Sequence, residues 1–179
     1  PNACEFCDIE KISYGLGVNL ILEQEPDYEQ ITDQIENNIT EEIHEIVFCG
    51  GGEPLMRLDL VLAITKFIKS KYQQNVRIDT CGYPATFYPH RRVAIELKNG
   101  GVDFISVSVN STNPAEYNNI CHPRVEKAYQ KTLNFVKKCR DAGIKTRITF
   151  VNYKIDRQEC VELANKLDVD FYIRSYSPI

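Results

Sequence analysis

The stretch Phe104-Ile105-Ser106-Val107-Ser108-Val109-Asn110 decides the fold class, because apolar and polar side chains alternate along a predicted strand. Successive side chains of a strand point to opposite faces, so the two serines and Asn110 share one face and the aliphatic residues share the other. A parallel sheet covered by helices on both sides is apolar on both faces. The alternation therefore favours a sheet with one polar face that lines a wet cavity, as in a barrel.

Other predicted strands repeat this one-sided polarity. The polar residues that share a face are Arg77, Asp79 and Cys81 in one strand, Arg147 and Thr149 in another, and Tyr172, Arg174 and Tyr176 in the last. The alternative is that some of these side chains belong to edge strands or strand ends, where exposure needs no cavity.

Strands and helices alternate along the whole chain. The predicted strands cover 43–49, 76–80, 104–110, 145–151 and 169–174, and the predicted helices cover 28–38, 58–72, 90–98, 125–141 and 157–167. This order predicts parallel βαβ units and an α/β fold. Five strands cannot close an eight-stranded barrel, so they form either an open doubly wound sheet or a partial barrel with parallel strands. We predict the partial barrel, as a single domain over 1–179.

Composition sets limits on location and partners. The chain has 179 residues, 43% of them hydrophobic, and a net charge of −4. This charge gives no general attraction to nucleic acid or to an anionic membrane. No apolar run reaches membrane-spanning length and no signal peptide is visible, so we expect a cytoplasmic protein. In a reducing compartment, the seven irregularly spaced cysteines indicate metal-binding or redox roles, or buried positions, rather than disulfides.

The first candidate site is the pair Cys4 and Cys7 in Asn2-Ala3-Cys4-Glu5-Phe6-Cys7. Thiolates at this spacing can bind one metal ion or neighbouring corners of an iron–sulfur cluster. Two cysteines do not complete any common metal site. A redox-active pair and two incidental cysteines therefore remain open at this point.

The second candidate is the glycine run Gly50-Gly51-Gly52, followed by Glu53-Pro54. Glycines at the end of a strand leave backbone N–H and C=O groups open to a ligand. No Lys-Ser or Lys-Thr follows, so the run is not a phosphate-binding loop. A carboxylate and free carbonyls suit a cation such as an ammonium group, although a plain tight turn has the same sequence.

Ligands of parallel α/β folds bind at the carboxyl ends of the strands. The residues that this rule brings together are Gly51–Glu53, Thr80, Cys81, Ser108, Asn110, Thr149, Val151, Arg174 and Tyr176. We expect these side chains to lie along one edge of the sheet.

The two motifs together resemble those of the radical S-adenosylmethionine (SAM) enzymes. The hallmark of that family is Cys-x₃-Cys-x₂-Cys with an aromatic residue before the last cysteine, and Cys4-Glu5-Phe6-Cys7 is similar to its latter part. The first cysteine of the hallmark would fall immediately before Pro1. Gly51-Gly52-Glu53-Pro54 resembles the second family motif. The resemblance implies a partial (β/α)₆ barrel that lacks its first strand here.

A narrower resemblance is to the TatD-linked radical SAM proteins, a bacterial subgroup. The stretches that carry it are 17–20, 25–26, 106–110, 117–123 and 174–176.

The resemblance implies a role for each candidate residue. Cys4, Cys7 and the cysteine expected before Pro1 would hold three irons of a [4Fe–4S] cluster, whose fourth iron binds SAM. The cofactor-binding residues would be Gly51, Gly52 and Glu53 at the amino group, Phe6 and Val151 at the adenine, Thr80, Ser108 and Asn110 at the methionine or ribose, and Arg174 with Tyr176 at the cofactor or substrate.

The implied activity is reductive cleavage of SAM to a 5′-deoxyadenosyl radical, which abstracts hydrogen from a substrate. The substrate, a small molecule or a peptide, is not indicated by the sequence. The electron would come from a donor such as flavodoxin or ferredoxin. Because one ligand and one strand of the family pattern are missing, we expect that residues 1–179 alone do not hold a stable cluster.

Three alternatives remain open. The chain could be a non-catalytic scaffold that keeps the fold without the cluster, or a thiol oxidoreductase that uses Cys4 and Cys7. In a third case, Cys49 or Cys81 at a strand tip would supply the missing thiolate.

Overall fold

A computed structural model describes residues 2–7 and 22–176. The helices are α1 (Tyr28–Asn38), α2 (Leu58–Lys71), α3 (Val93–Gly100), α4 (Pro114–Cys121), α5 (Ala128–Asp141) and α6 (Arg157–Leu167). The strands are β1 (Glu45–Phe48), β2 (Asn75–Thr80), β3 (Phe104–Ser108), β4 (Lys145–Val151) and β5 (Asp170–Arg174). Short 3₁₀ turns cover Pro54–Arg57 and Pro84–Thr86.

The five strands form one parallel sheet whose order is the order of the chain, β1-β2-β3-β4-β5. A doubly wound sheet reverses its strand order at a switch point. No such reversal occurs here, so the strands curve in one direction, as in the wall of a barrel. The predicted α/β fold with a partial parallel barrel is confirmed.

The two faces of this sheet differ as the alternation predicts. We call the face that packs on the helices the outer face; its residues include Val76, Ile78, Ile105, Val107, Ile148 and Phe150, each completely buried. The opposite, inner face carries Glu45, Arg77, Asp79, Ser106, Ser108, Arg147, Thr149, Tyr172 and Arg174. Most of the charged residues of the inner face are half-buried or exposed. Among the described residues, the apolar core therefore lies on the outer face of the sheet.

Capping residues set the helix ends. The sequences Asp27-x-x-Gln30 and Asp156-x-x-Glu159 are typical of capping boxes. In α1 the box is complete: the Asp27 side chain accepts from the Gln30 N–H, and the Gln30 side chain accepts from the Asp27 N–H. In α6 Asp156 accepts from the Glu159 N–H, but the Glu159 carboxylate accepts from the Thr112 hydroxyl instead of completing the box. Gly101 ends α3 with φ +98°, a conformation that favours glycine.

The predicted connection after β3 is wrong in one respect, because it contains the helix α4. Asn113 caps this helix by accepting from the Glu116 N–H, and Pro114 occupies its first turn. The first and third strands are shorter than predicted, and α3 and α5 begin later. The predicted apolar run over 18–22 lies almost wholly outside the described residues. None of the helices among the described residues is both long and apolar enough to cross a bilayer.

Candidate active site

Residues 2–7, the cysteine loop, are fixed by the last backbone carbonyls of α4. The Ala3 N–H donates to Cys121 O at 3.0 Å, and the Glu5 N–H donates to Ile120 O at 2.9 Å. A helix leaves its last four carbonyls without an internal partner, so its C-terminus can anchor a passing segment in this way. Within the loop, the Cys7 N–H donates to Cys4 O at 3.0 Å, which closes a turn between the two cysteines.

Asn2 attaches the start of the loop to two buried tyrosines. The Tyr83 hydroxyl donates to Asn2 Oδ1 at 2.6 Å, and Asn2 Nδ2 donates to the Tyr117 hydroxyl at 3.3 Å. Burial raises the pKa of both tyrosines, so both hydroxyls stay protonated near neutral pH. Tyr83 reaches Asn2 because Gly82 turns the chain at φ +82°, where a Cβ would lie 2.5 Å from Val107 Cγ1.

Glu5 attaches the middle of the loop to the segment after β4. Its carboxylate accepts from the Tyr153 hydroxyl at 2.9 Å and from Lys154 Nζ at 3.1 Å, and His122 Nε2 lies 3.6 Å away. The hydrogen bond from Tyr153, followed by that from Lys154, lowers the pKa of Glu5 below its usual value. Phe6 packs edge-on against Tyr153, with 6.1 Å between ring centroids.

Cys4 lies against a third cysteine that the sequence did not single out. The buried Cys121 thiol donates a hydrogen bond to the Cys4 sulfur, which lowers the pKa of Cys4, while partial burial acts in the opposite direction. Asn110 Nδ2 lies 4.0 Å from Cys121 Sγ, so the three side chains form a short chain of contacts at the end of β3. A thiol with a lowered pKa is more readily the thiolate that binds iron.

The ends of four strands lie at or near the cysteine loop. Tyr83, after β2, and Tyr153, after β4, bond the loop directly, whereas Asn110, after β3, is related to it through Cys121. Arg174 ends β5, and its positive charge also lowers the pKa of Cys4. The predicted gathering of strand tips at one edge is present in the structure.

The glycine run forms a bare loop beside this edge. Gly50, Gly51 and Gly52 are exposed, and a Cβ added at Gly52 would meet nothing within 4 Å. Their backbone groups are thus accessible, as the sequence predicts for a ligand-binding turn.

The Glu53 carboxylate, by contrast, accepts hydrogen bonds from four donors of the protein itself. One oxygen accepts from the Leu55 N–H at 3.0 Å and the Thr80 hydroxyl at 2.7 Å. The other accepts from the Cys81 N–H and the Cys81 thiol, both at 2.7 Å. A carboxylate offers about four acceptor positions, so these four donors use its hydrogen-bonding capacity. Glu53 ties the glycine run to the end of β2.

The remaining predicted residues divide between the two faces. Thr80 points to the outer side, where it bonds Glu53, whereas Ser108 and Arg174 lie on the inner face with 3.5 Å between Ser108 Oγ and Arg174 Nη2. Val151 is 8% exposed and pairs with Arg174 across β4 and β5.

Asn110 provides a direct test of whether a polar ligand fits this edge. Its side chain is 4% exposed, and its Oδ1 atom has no hydrogen-bond partner among the described residues. An unpaired buried acceptor costs free energy, about 1–3 kcal/mol, unless a donor reaches it. Its backbone also has φ +58°, a conformation that only a few non-glycine residues adopt. A ligand that donates a hydrogen bond, such as a ribose hydroxyl or an amine, fits this site.

Cys4 and Cys7 are the candidate metal ligands, and the described residues gather no third ligand with them. Within 2–7 and 22–176, no group of three or more His, Cys, Asp or Glu side chains could hold a metal ion. Cys49 and Cys81 are therefore not gathered with Cys4 and Cys7. Burial raises the pKa of both strand-tip thiols, and the Cys81 thiol is held by Glu53.

The residues that anchor the cysteine loop were missed by sequence reasoning. They are Asn2, Glu5, Tyr83, Tyr117, Cys121, Tyr153 and Lys154. The one available signal was local, because Asn2 and Glu5 alternate with the cysteines in the motif itself. Their partners lie 81 to 149 positions away, where no spacing rule connects them.

A partial barrel whose strand tips surround a cysteine loop, with an open glycine turn beside it, defines a class of metal–sulfur enzyme domain. The sequence profile of the radical SAM superfamily matches residues 1–167, and the chain belongs to that superfamily. Its members use a [4Fe–4S] cluster and SAM, and the family relation implies SAM cleavage at an iron–sulfur cluster. Cys4, Cys7, the glycine run and Asn110 fit these cofactors.

Two relatives are similar over most of the chain. A Methanocaldococcus jannaschii protein, named as a candidate glycyl-radical enzyme activating enzyme, is 27% identical over 152 residues, which are 82% of this chain and 60% of that protein. The GTP 3′,8-cyclase of Aliarcobacter butzleri is 27% identical over 152 residues, 84% of this chain and 43% of its own length. The chain thus spans less than two thirds of each.

A solved structure shows the same fold. Streptococcus suis SuiB bound to SAM superimposes with a TM-score of 0.67 at 19% identity, covering 99% of this chain and 37% of SuiB. SuiB bound to its precursor peptide SuiA gives a TM-score of 0.68 at 18% identity, over 98% of this chain and 37% of SuiB.

Proposed function

We propose that this chain is the core of a radical SAM enzyme that abstracts a hydrogen atom from its substrate. The observation that carries the proposal is the attachment of the cysteine loop to the segments after β2 and β4, through Tyr83 and Tyr153, and to the last carbonyls of α4. Neither a scaffold nor a surface thiol pair requires so many anchors on six residues.

The [4Fe–4S] cluster and SAM, when bound, supply the one-electron cleavage that yields a 5′-deoxyadenosyl radical. The protein positions these groups and excludes water from them. Cys4 and Cys7 hold two irons, with Cys121 orienting the Cys4 sulfur. Phe6, held by Tyr153, offers an aromatic edge to the adenine.

The glycine run binds the amino group of SAM through its backbone. Gly51 and Gly52 present exposed carbonyls, whereas the Glu53 carboxylate already has four protein donors. Glu53 and Thr80 therefore shape the turn and do not carry the ligand. Asn110 Oδ1 accepts a hydrogen bond from the ribose or the amine, and Ser108, Val151 and Arg174 complete the inner wall.

The substrate is a small molecule or a peptide that enters from the inner face. SuiB has been solved with a precursor peptide, which makes a peptide one candidate class. Electrons come from a small donor such as flavodoxin or ferredoxin. The cytoplasmic location, the single-domain organisation and the TatD-linked subgroup stay predictions.

The test is anaerobic reconstitution of the full-length protein with iron and sulfide, followed by electron paramagnetic resonance with and without SAM. We expect a reduced-cluster signal that changes when SAM is added, and 5′-deoxyadenosine in the reduced mixture. A folded protein that binds no iron would overturn the proposal. In that outcome, a reversible Cys4–Cys7 disulfide would favour the thiol oxidoreductase, and its absence would favour the scaffold.

The matched variants are N110A and N134A. Asn134 lies on α5 with its amide bonded to the exposed Gln130 side chain, away from the cysteine loop. N110A is expected to weaken SAM binding about tenfold, the effect of losing one hydrogen bond to a charged or buried partner. N134A should bind SAM like the wild type, and equal affinities of all three proteins would remove Asn110 from the cofactor site.

A further inference from the structure

On the inner face, one arginine forms ion pairs with carboxylates and two do not. Arg77 lies between two carboxylates, with Nε 2.9 Å from Glu45 and Nη1 3.1 Å from Asp79. This group of three closes on itself. Asp170 is the partner of Arg147 in the sheet register, but it is exposed. Within the described part of the chain, neither Arg147 nor Arg174 makes an ion pair with a carboxylate.

Arg147 is held in one orientation although it has no ion-pair partner. Its Nε donates to Ser106 Oγ at 3.0 Å, and Ser106 is 3% exposed. Its guanidinium lies 4.9 Å from the ring centroid of Phe104 and 5.5 Å from that of Tyr172. Contacts with two rings and a hydroxyl fix the plane of the fork. Its two terminal nitrogens make no hydrogen bond to any residue that the structure describes.

Arg147 lies well below the strand tips, on the face that the sequence predicts to line a cavity. Ser106 pairs with Arg147 in the sheet, and Val151, at the tip of β4, pairs with Arg174. Val151 lies four positions beyond Arg147, which is about 13 Å at 3.3 Å per residue. Arg147 thus lies below the tips that carry the candidate cofactor residues, with its free nitrogens on the half-buried inner face.

The charges of Arg77, Arg147 and Arg174 all reach one neighbouring carboxyl, that of Asp79. Partial burial raises the pKa of Asp79, and the charges of Arg77, Arg147 and Arg174 act in the opposite direction. All three arginines therefore act on one region of the inner face.

We propose that Arg147 is a substrate-binding residue, whose guanidinium fork binds an anionic group of the substrate, a carboxylate or a phosphate. A guanidinium that is already oriented loses little conformational freedom when it forms two parallel hydrogen bonds to such a group. The anion would anchor the distal end of the substrate in the cavity while the reacting carbon faces the strand tips. This assignment rests on the proposed function, because only a radical SAM enzyme would bind its substrate at the inner face. Anion binding by Arg147 can be tested separately.

The experiment measures thermal unfolding of the full-length reconstituted protein by circular dichroism, with inorganic phosphate, acetate or chloride at constant ionic strength. An anion that binds only the folded state raises the unfolding midpoint as its concentration exceeds the dissociation constant. We expect phosphate or acetate to raise the midpoint above that in chloride. A response to phosphate alone identifies a phosphate group, and a response to acetate alone identifies a carboxylate.

The matched control arginine is Arg157, which also lies over an aromatic ring, Phe171, but on the helix side of the sheet. The R147Q variant is expected to need at least about tenfold more anion for the same rise in midpoint, whereas R157Q should respond like the wild type. R147K, which keeps the charge without the fork, covers the case in which R147Q does not fold. It should need at least about threefold more anion.

Two outcomes would overturn the proposal: no anion-specific rise in the wild type, or an R147K or R147Q response equal to that of the wild type. Failure of the proposed function is a separate result. R147Q should keep the cluster signal and the change that SAM causes in it. A wild type that binds phosphate or acetate through Arg147 but holds no cluster would retain the anion site and remove the radical chemistry.

Discussion

Arg147 and Ile148 are neighbours in β4, yet they belong to regions with different tasks. Ile148 points to the outer face and is completely buried in the core between sheet and helices. Arg147 points to the inner face, half-buried, with two nitrogens that form no hydrogen bond to any described residue. One strand thus stabilises the fold with one side and offers binding groups with the other. The polar groups that we assign to ligand binding, those of Arg147 and Asn110, lie on the inner face and at its upper edge.

Buried polar residues on the outer side of the sheet have hydrogen-bond partners within the protein. Thr80 is 3% exposed, and its hydroxyl donates to Glu53 and accepts from the Gly82 N–H. Thr65, also buried, donates to Val61 O at 2.7 Å. Asn110, at the edge above the inner face, is as buried as these threonines but keeps an acceptor without a partner. Burial alone therefore does not separate Asn110 from these threonines, whereas the missing hydrogen bond at its Oδ1 does.

The largest effect is expected at the edge, in the loss of the whole cluster. Substituting Cys7, which is exposed, by alanine should abolish cluster incorporation in the full-length protein. Cys49→Ala is the matched control, because Cys49 is exposed like Cys7 but lies at the tip of β1. Iron and sulfide analysis after anaerobic reconstitution measures both. If C49A lost the cluster and C7A kept it, Cys49 would be the ligand.

The next effect separates the two faces of β4. Ile148→Ala should lower the free energy of unfolding by about 3 kcal/mol, because it removes a fully buried side chain and leaves a cavity. Arg147→Gln should change it by about 1 kcal/mol or less, the range of an exposed cation–π contact. Urea unfolding of the apoproteins gives both values. Similar losses at the two positions would contradict the division into a stabilising and a binding face.

A smaller loss of stability is expected at Glu53, where the glycine run joins β2. Glu53→Gln would place an amide donor against the Cys81 N–H or the Thr80 hydroxyl, and should cost about 2 kcal/mol as charged hydrogen bonds are lost. Glu45→Gln is the control, because Glu45 pairs only with Arg77 at the rim of the inner face. Urea midpoints compare the two. A midpoint for E53Q equal to that of E45Q would mean that Glu53 is free to serve a ligand.

The smallest effect concerns the pH dependence of the cysteine loop. The hydrogen bond from Tyr153 keeps the pKa of Glu5 below its usual value. A lowered carboxyl pKa adds stability above the ordinary value, and this stability is lost as the pH falls through the lowered value. Carbon-detected NMR titration should place the Glu5 midpoint below that of an ordinary glutamate in the wild type and higher in Y153F. Tyr172→Phe, on the inner face, should leave it unchanged, and an unshifted Y153F would refute the contact.

The sequence by itself determined the fold class and the position of the site. Alternation in the stretch over 104–110 distinguishes inner from outer residues because the side-chain period of a strand is two, whatever surrounds it. Capping at Asp27 and the glycine stop at Gly101 are equally local. The two cysteines and the glycine run also carry their chemistry within a few residues, so they indicated metal–sulfur chemistry without a structure.

The helix α4 could not be predicted from local sequence patterns. Asn113, Pro114 and Glu116 are a helix start, but the stretch that follows has no long apolar stripe to indicate a helix. Its eight residues are short for an independent helix in water. Packing of Tyr117 and Ile120 into the core stabilises it, and this packing depends on distant parts of the chain.

Only the tertiary structure decided how each site residue is used. It joined Asn2 to Tyr83, Glu5 to Tyr153 and Cys4 to Cys121, pairs that are far apart in sequence. It also placed protein hydrogen-bond donors around the Glu53 carboxylate, and it left polar atoms of Asn110 and Arg147 without a hydrogen-bond partner among the described residues. The physical reason is that residue type sets what a side chain can bind. Whether a polar atom is left for a ligand depends on every donor and acceptor that folding brings beside it.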